Sequence, residues 1–382
     1  MCIRDSQWIA LDYPPRIFQC VIKTFSEVFP HVMLWQAHGN CFLIGSNQKL
    51  APDMTMITRK LGSDEAPFDG VKKLGITTSG SLVSHLVARE DVLRKELQGI
   101  ELNTLEKPII EFYDFEDFAS SSDHRELENL RFILSIRGKE AVGHWVKQRN
   151  AKTIAAYDAE GEYLLGKQAI LMGKGRSIFG PHFDRALAMS SENEAIRYQI
   201  FGHYFATAKY HMDRRNIATA EVYVAKAVEI WPRDAESRRM YGQILLESRK
   251  IQKAAEQLEF LVKLGSESVS TRHQLVTIYF KLRNIDRVTF HLQAILKTNP
   301  EDVDALYRLG FLLGEQGYFS EALPLLKKAY QIDPKNPNVI HSYAWTTYRS
   351  GDKKRAREIV LDGGRYYEAV EQMKQYRAII LR

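Results

Sequence analysis

This 382-residue sequence is short of several things, and each shortage narrows what the chain can be. Cysteine occurs three times, at Cys2, Cys20 and Cys41, which argues against a disulfide framework and fits a reducing, cytoplasmic setting. No apolar run approaches the ~18 residues of a bilayer-spanning helix; the longest cluster, around Val28–Trp35, is interrupted by Pro30 and His31. Met1–Ser6 has none of the apolar core of a secretory leader. It resembles translated adapter sequence instead, so native sequence upstream of it is expected to be missing. Before residue 110 the glycines (Gly39, Gly45, Gly62, Gly70, Gly75, Gly80, Gly99) are scattered. None builds the strand–Gly-x-Gly–helix unit that cradles a cofactor's phosphates. Charge of one sign is also scarce: the net charge is +6, with basic residues interleaved with Asp and Glu, so nucleic acid is not expected as a partner.

What the sequence does have is a period. From Phe201 to Val370 it repeats every 34 residues. Pro232, Pro300 and Pro334 share one register, with Ser266 in the slot between the first two. A second column runs Ala220, Ala254, Val288, Ala322, Ala356, and a third Ala208, Gly242, Val276, Gly310, Ala344. A period of this length points to stacked helical hairpins. The unit from Val303 shows why: helices over Val303–Glu315 and Phe319–Gln331 flank a turn at Gln316–Gly317. Where the two helices cross, only a small side chain lets the backbones approach, so Gly310 should face Ala322. Leu306, Leu309, Leu313, Leu323, Leu326 and Ala329 give the apolar spacing of paired amphipathic helices, and Pro334 ends the second. One hairpin cannot bury its apolar face alone, so its neighbours complete the core.

These residues resemble the tetratricopeptide repeat (TPR), whose pattern is Trp-x2-Leu-Gly-x2-Tyr followed by Ala, Phe, Ala and Pro. Val303–Asn336 fits it best; the unit from Val269 is weaker, with Val276 and Val288 in the small slots. The last unit carries Gly363–Gly364 where a helix should continue, and is expected to end loosely. The resemblance implies a concave groove lined by the first helix of each unit and taking a protein or peptide partner. Carried onto this sequence, the groove positions are Lys209, Met212, Arg239, Gln243, His273, Thr277, Lys281, Tyr307, Phe311, His341, Trp345 and Arg349. Their mix of base and aromatic suits an acidic or aromatic-bearing peptide. The carboxylate-clamp version of the groove needs paired Lys and Asn, and Asn is absent from those places in the first three units.

Residues 7–46 read as a strand, a helix over Pro14–Val28, then a strand pair turning near His38-Gly39-Asn40. Gln7-Trp8, Phe25–His31, Leu34-Trp35, Leu43–Ser46 and the run Leu102–Phe112 resemble the end of a spermidine synthase-like domain, a methyltransferase-type sheet. Leu105 and Glu106 depart from the family's closing pattern, where two aspartates stand. The resemblance implies an aminopropyltransferase parent whose active site lies upstream. For this chain it supplies no catalytic, cofactor-binding or metal-ligating residue and no cofactor. Decarboxylated S-adenosylmethionine would be a substrate only of an intact, active parent.

Between these ends, Thr77–Ser81 reads as the cap of a helix over Leu82–Val87, with a second short helical stretch at Arg89–Gln98. Phe112–Phe118 alternates acidic and aromatic residues, and Ser120–Asp123 caps a helix over His124–Ile136. Helices follow over Glu140–Arg149, Glu160–Met172 and Ile178–Met189. Gly173-Lys174-Gly175-Arg176-Ser177 has no preceding strand and fails the Walker spacing, so it reads as an interhelical turn. His31, His38 and Cys41 lack paired ligand spacing; His203 and His211 are two turns apart on one helix; Glu126 and Glu128 face different sides of theirs. The expected fold is mainly α: an α/β remnant with connector over 1–118, a helical connector and degenerate repeat over 119–193, and a TPR-type α-solenoid over 194–382. The function expected of it is a non-enzymatic interaction scaffold, with the alternative that the array regulates or localises an aminopropyltransferase.

Overall fold

Residues 4–46 fold as their apolar spacing dictates, with Arg4–Ala10 (β1), Pro15–Val28 (α1), His31–Ala37 (β2) and Asn40–Ser46 (β3) in succession. The structure, a computed structural model, describes residues 4–37, 39–49, 53–63, 76–104, 106, 121–138, 151–191, 193–266, 268–368 and 374–381. Expectations for His38, Phe112–Phe118 and Glu140–Arg149 lie outside the described residues. The chain divides into two units: residues up to Ala206 together with Glu229–Trp231, and Thr207–Val228 together with Pro232–Arg382.

The first unit contains a small antiparallel sheet of order β1-β3-β2-β4. β3 is central, pairing Leu43 with Gln7 of β1 and with Leu34 of β2. Gly39 turns the hairpin at φ 82°, a conformation that favours glycine. Ile9, Leu11, Phe18, Ile22, Val32, Leu34 and Leu43 are at most 1% exposed and form the core between sheet and α1. Met54–Leu61 (α2) is capped by Asp53, and Ser79–Ser84 (α3) by a Thr78–Ser81 capping box.

The helix expected over Leu82–Val87 stops early. Leu86–Arg89 instead forms β4, which pairs antiparallel with β2. All four of its residues are buried, so no polar–apolar alternation marks it as a strand. Glu90–Glu96 (α4), Ser122–Ile136 (α5, capped by Ser121), Ala151–Leu171 (α6), Arg176–Met189 (α7) and Glu194–Asp213 (α8) follow. Arg137, just past α5, donates to the carbonyls of Ser84 (2.7 Å), Leu86 (3.0 Å) and Tyr157 (2.8 Å), and its guanidinium lies 4.0 Å from the Tyr157 ring centroid. One cation thereby holds the ends of α3 and β4 to α6.

In the second unit the end of α8, from Thr207, faces Ile217–Ile230 (α9), and hairpins follow of Ala235–Glu247 (α10) with Ile251–Lys263 (α11) and Val269–Lys281 (α12) with Ile285–Thr298 (α13). Val303–Glu315 (α14) with Phe319–Ile332 (α15) and Pro337–Arg349 (α16) with Lys353–Glu368 (α17) complete them. Both small-residue columns are buried: Ala208, Ala220, Ala254, Val276, Val288, Ala322, Ala344 and Ala356 are at most 1% exposed, and Gly242 and Gly310 are buried too. A methyl on Gly310 would stand 2.6 Å from Leu326 Cγ and 3.2 Å from the Ala322 carbonyl oxygen; on Gly242 it would stand 3.1 Å from Leu258 Cδ2. The array does not end loosely. α17 kinks at Gly364 (φ 38°, ψ −120°), and Lys374–Leu381 (α18) packs back with Ile380 buried beside Ile340, Ala344 and Ile359.

A further column, absent from the sequence reading, closes each hairpin. Arg215, Arg249 and Arg283 adopt φ of 56°, 59° and 55°, and Gly317 and Gly351 hold the same place at 88° and 101°. These residues lie 34 apart. Each donates to the carbonyl three back, as Arg249 does to Leu246 (3.0 Å). In the first four turns the next residue donates five back, as Lys250 does to Leu245 (2.8 Å), completing the Schellman closure. A side chain in this left-handed region costs about 1–2 kcal/mol, part of which glycine's own entropy loss offsets.

Two stability tests follow, each read by urea denaturation. Gly310→Ala is expected to lose about 1–3 kcal/mol by overpacking the α14–α15 crossing, and Gly242→Ala less, because only the tip of Leu258 must move. Arg283→Gly is expected to gain up to ~1 kcal/mol and Gly317→Ala to lose about as much. Equal stabilities across either pair would contradict these conformational assignments.

Candidate functional site

The candidate groove residues all lie on first helices: Lys209 and Met212 on α8; Arg239 and Gln243 on α10; His273, Thr277 and Lys281 on α12; Tyr307 and Phe311 on α14; His341, Trp345 and Arg349 on α16. Lys209, Arg239, Gln243, Thr277, Lys281 and Arg349 are exposed, and the remaining six are half-buried. Several reach a neighbouring first helix. Lys209 pairs with Glu236 (3.0 Å) across α8 and α10, and His273 Nε2 meets Asp302 at the start of α14 (3.0 Å). Glu315 on α14 accepts from Trp345 Nε1 (3.1 Å) and Arg349 (2.8 Å) on α16. Phe311 lies 6.0 Å from His341, ring centre to ring centre. First helices of consecutive units therefore present these side chains on one shared face.

That face carries one residue the sequence reading missed. Tyr376 of α18 packs 4.7 Å from the His341 ring and 4.8 Å from the Trp345 ring. The signal was the register itself, since α18 falls where the 34-residue period would put another first helix. Burial lowers the pKa of His341, keeping it neutral among these rings. Burial beside Asp304 pushes the Tyr307 phenol up to about 12. Further along the array a cavity of about 550 Å³ lies where α12 meets the preceding hairpin. Candidates His273, Thr277 and Lys281 line it, together with Arg249, Ser270 and Gln274 and an apolar side of Leu246, Ile251 and Ile278.

The other constellations are structural in their geometry. His31 meets Glu90 (3.2 Å), and burial raises the pKa of the Cys41 thiol far above its usual value. His203 packs against both Tyr163 and Phe183, with ring centres 6.0 and 5.8 Å away, and His211 stacks on Tyr223. Glu126 pairs with Lys167, and Glu128 with Arg131 (2.6 Å). Gly173 (φ 68°) closes α6 and α7 begins at Arg176, so the glycine–lysine run is an interhelical turn. One buried pair gave no sequence signal: His85 Nδ1 lies 3.7 Å from Glu160 Oε1, with side chains 3% and 0% exposed. Its enclosure keeps it from any substrate in this conformation. Among the described residues, no group of three His, Cys, Asp or Glu side chains is placed to hold a metal ion.

Comparison with known proteins bears on the array. A tetratricopeptide-repeat family model matches residues 205–267 and 276–337, and a second of the same description matches 315–378. The chain carries tetratricopeptide repeats over these residues. Among solved structures it is similar to YrrB, described as a TPR protein with an unusual peptide-binding site (18% identity, 52% of this chain, 97% of that one, TM-score 0.42). It is similar also to MamA (18% identity, 46% and 96%, TM-score 0.40) and to MamA from Desulfovibrio magneticus RS-1 (18% identity, 45% and 97%, TM-score 0.39).

Desolvated imidazoles set a pH dependence. Burial lowers the pKa of His203 to about 4 and lowers those of His291 and His341. A folded-state pKa below the unfolded value means the unfolded chain binds more protons in acid. Stability is therefore full above about pH 6.5 and is lost as pH falls, for His203 until about 4. Urea midpoints should drop between about pH 7.5 and about pH 4.5, and His203→Phe should flatten that drop. An unchanged slope in the variant would remove His203 from the explanation.

Proposed function

We propose that the repeat array is a protein-interaction scaffold whose first-helix face takes an acidic, aromatic-bearing peptide. The observation that carries this is the continuity of that face: Phe311, His341, Trp345 and Tyr376 run as adjoining rings from α14 through α16 to α18, flanked by Arg349. Rings offer large contact area at low entropic cost, and exposed cations select acidic partners by charge. Tetratricopeptide repeats imply such a role, and the occupant's chemistry is read from the side chains.

A second reading concerns the first unit. Its support is a strand, a helix and an antiparallel hairpin whose second strand, β3, lies between the other two. That is how a spermidine synthase-like sheet would finish, and the array would then regulate or localise an aminopropyltransferase. The residues present supply no Gly-rich cofactor turn, so purified chain given putrescine and decarboxylated S-adenosylmethionine should form no spermidine. Turnover would sink the non-enzymatic reading.

The scaffold reading is tested by calorimetric titration of peptides containing Glu, Asp and Phe. Phe311→Ala together with Trp345→Ala should weaken binding by about tenfold or more, with the fold retained by circular dichroism. Unchanged affinity would move the site off this face.

A further inference from the structure

We infer that the edge of the array where α8–α9, α10–α11 and α12–α13 turn is a basic ridge that grips an acidic peptide segment by its carboxylates and one apolar side chain. The inference rests on the scaffold reading and adds to it a second contact line, away from the ring ladder of α14–α18.

The turn position of each hairpin requires a left-handed residue, and glycine fills it without strain at Gly317 and Gly351. In the three preceding turns it is arginine, strained each time: Arg215, Arg249 and Arg283. Strain of this kind persists where the surrounding structure enforces it and gathers at functional sites. All three arginines are exposed. None has a side-chain hydrogen bond, ion pair or ring contact among the described residues, and the same holds for Lys281. Neighbouring Lys250 is different, since it is tied to Glu221 (2.6 Å). The period places the arginines at the same corner of successive hairpins, so their charges form a row rather than a scatter.

Of this row, Arg249 lines the 550 Å³ cavity of the α12 face. Arg249 and Lys281 supply its charge, and Leu246, Ile251 and Ile278 its apolar side. Two uncompensated cations beside an aliphatic hollow match a peptide in which acids flank a Leu- or Ile-sized residue. Among the described residues its one lining ring is the His273 imidazole, which is engaged by Asp302 (3.0 Å).

The test uses the full chain and a fluorescein-labelled peptide of Glu, Asp and Leu. Its controls are the same peptide with Lys for each acid and a labelled single-stranded oligonucleotide. The wild-type chain is expected to bind the acidic peptide, more weakly as salt rises, and neither control. The decisive variant carries Arg215→Gly, Arg249→Gly and Arg283→Gly together. Relief of backbone strain should leave it at least as heat-stable as the wild type, while peptide affinity falls by about tenfold or more. A variant that is stable and binds as before overturns the ridge. If Phe311→Ala with Trp345→Ala then abolishes binding, the scaffold reading survives that loss. Wild-type chain that ignores the acidic peptide, or prefers the oligonucleotide, overturns the proposed occupant outright.

Discussion

Close approach of helix backbones at the hairpin crossings is the constraint on which the second unit depends. Gly310 against Leu326 and the Ala322 carbonyl, Gly242 against Leu258, and the fully covered Ala208, Ala220, Ala254, Ala344 and Ala356 are its expressions. Larger side chains there would hold the helices apart and open the apolar clusters around Leu258, Leu292 and Leu326. Because each cluster draws on more than one hairpin, the array is held together by neighbour contacts and not by one central core. The first helices consequently fall side by side, and that alignment makes a continuous recognition face possible.

The two faces proposed for recognition differ in character. The ring ladder of α14–α18 is half-buried and partly self-satisfied, through Glu315 with Trp345 and Arg349. The turn corner of the earlier hairpins carries charge unpaired among the described residues, beside a hollow with one aliphatic side. A partner spanning both would meet rings at one end and cations at the other.

What the sequence disclosed follows from physics. Columns of small residues are legible because no other residue type fits a tight crossing, and helix boundaries at Val303–Glu315 emerged because apolar spacing and turn chemistry agree there. Leu86–Arg89 was illegible as a strand, since burial on both sides erases alternation. α6 begins at Ala151 rather than Glu160, and its first turns carry the buried Thr153, Ala156 and Tyr157. The left-handed arginines were invisible for the opposite reason, as glycine is the expected marker of that conformation and arginine gives no hint of it. The first helices that carry the groove candidates follow from register alone, and the same register points to α18, which carries Tyr376.

Arg137 joins three segments far apart in the chain through carbonyls of Ser84, Leu86 and Tyr157. None of those segments can swing outward without breaking a hydrogen bond to the guanidinium. Sheet edge, short helix and long helix are thereby obliged to open together, so the boundary of cooperative opening in the first unit is drawn by a single guanidinium.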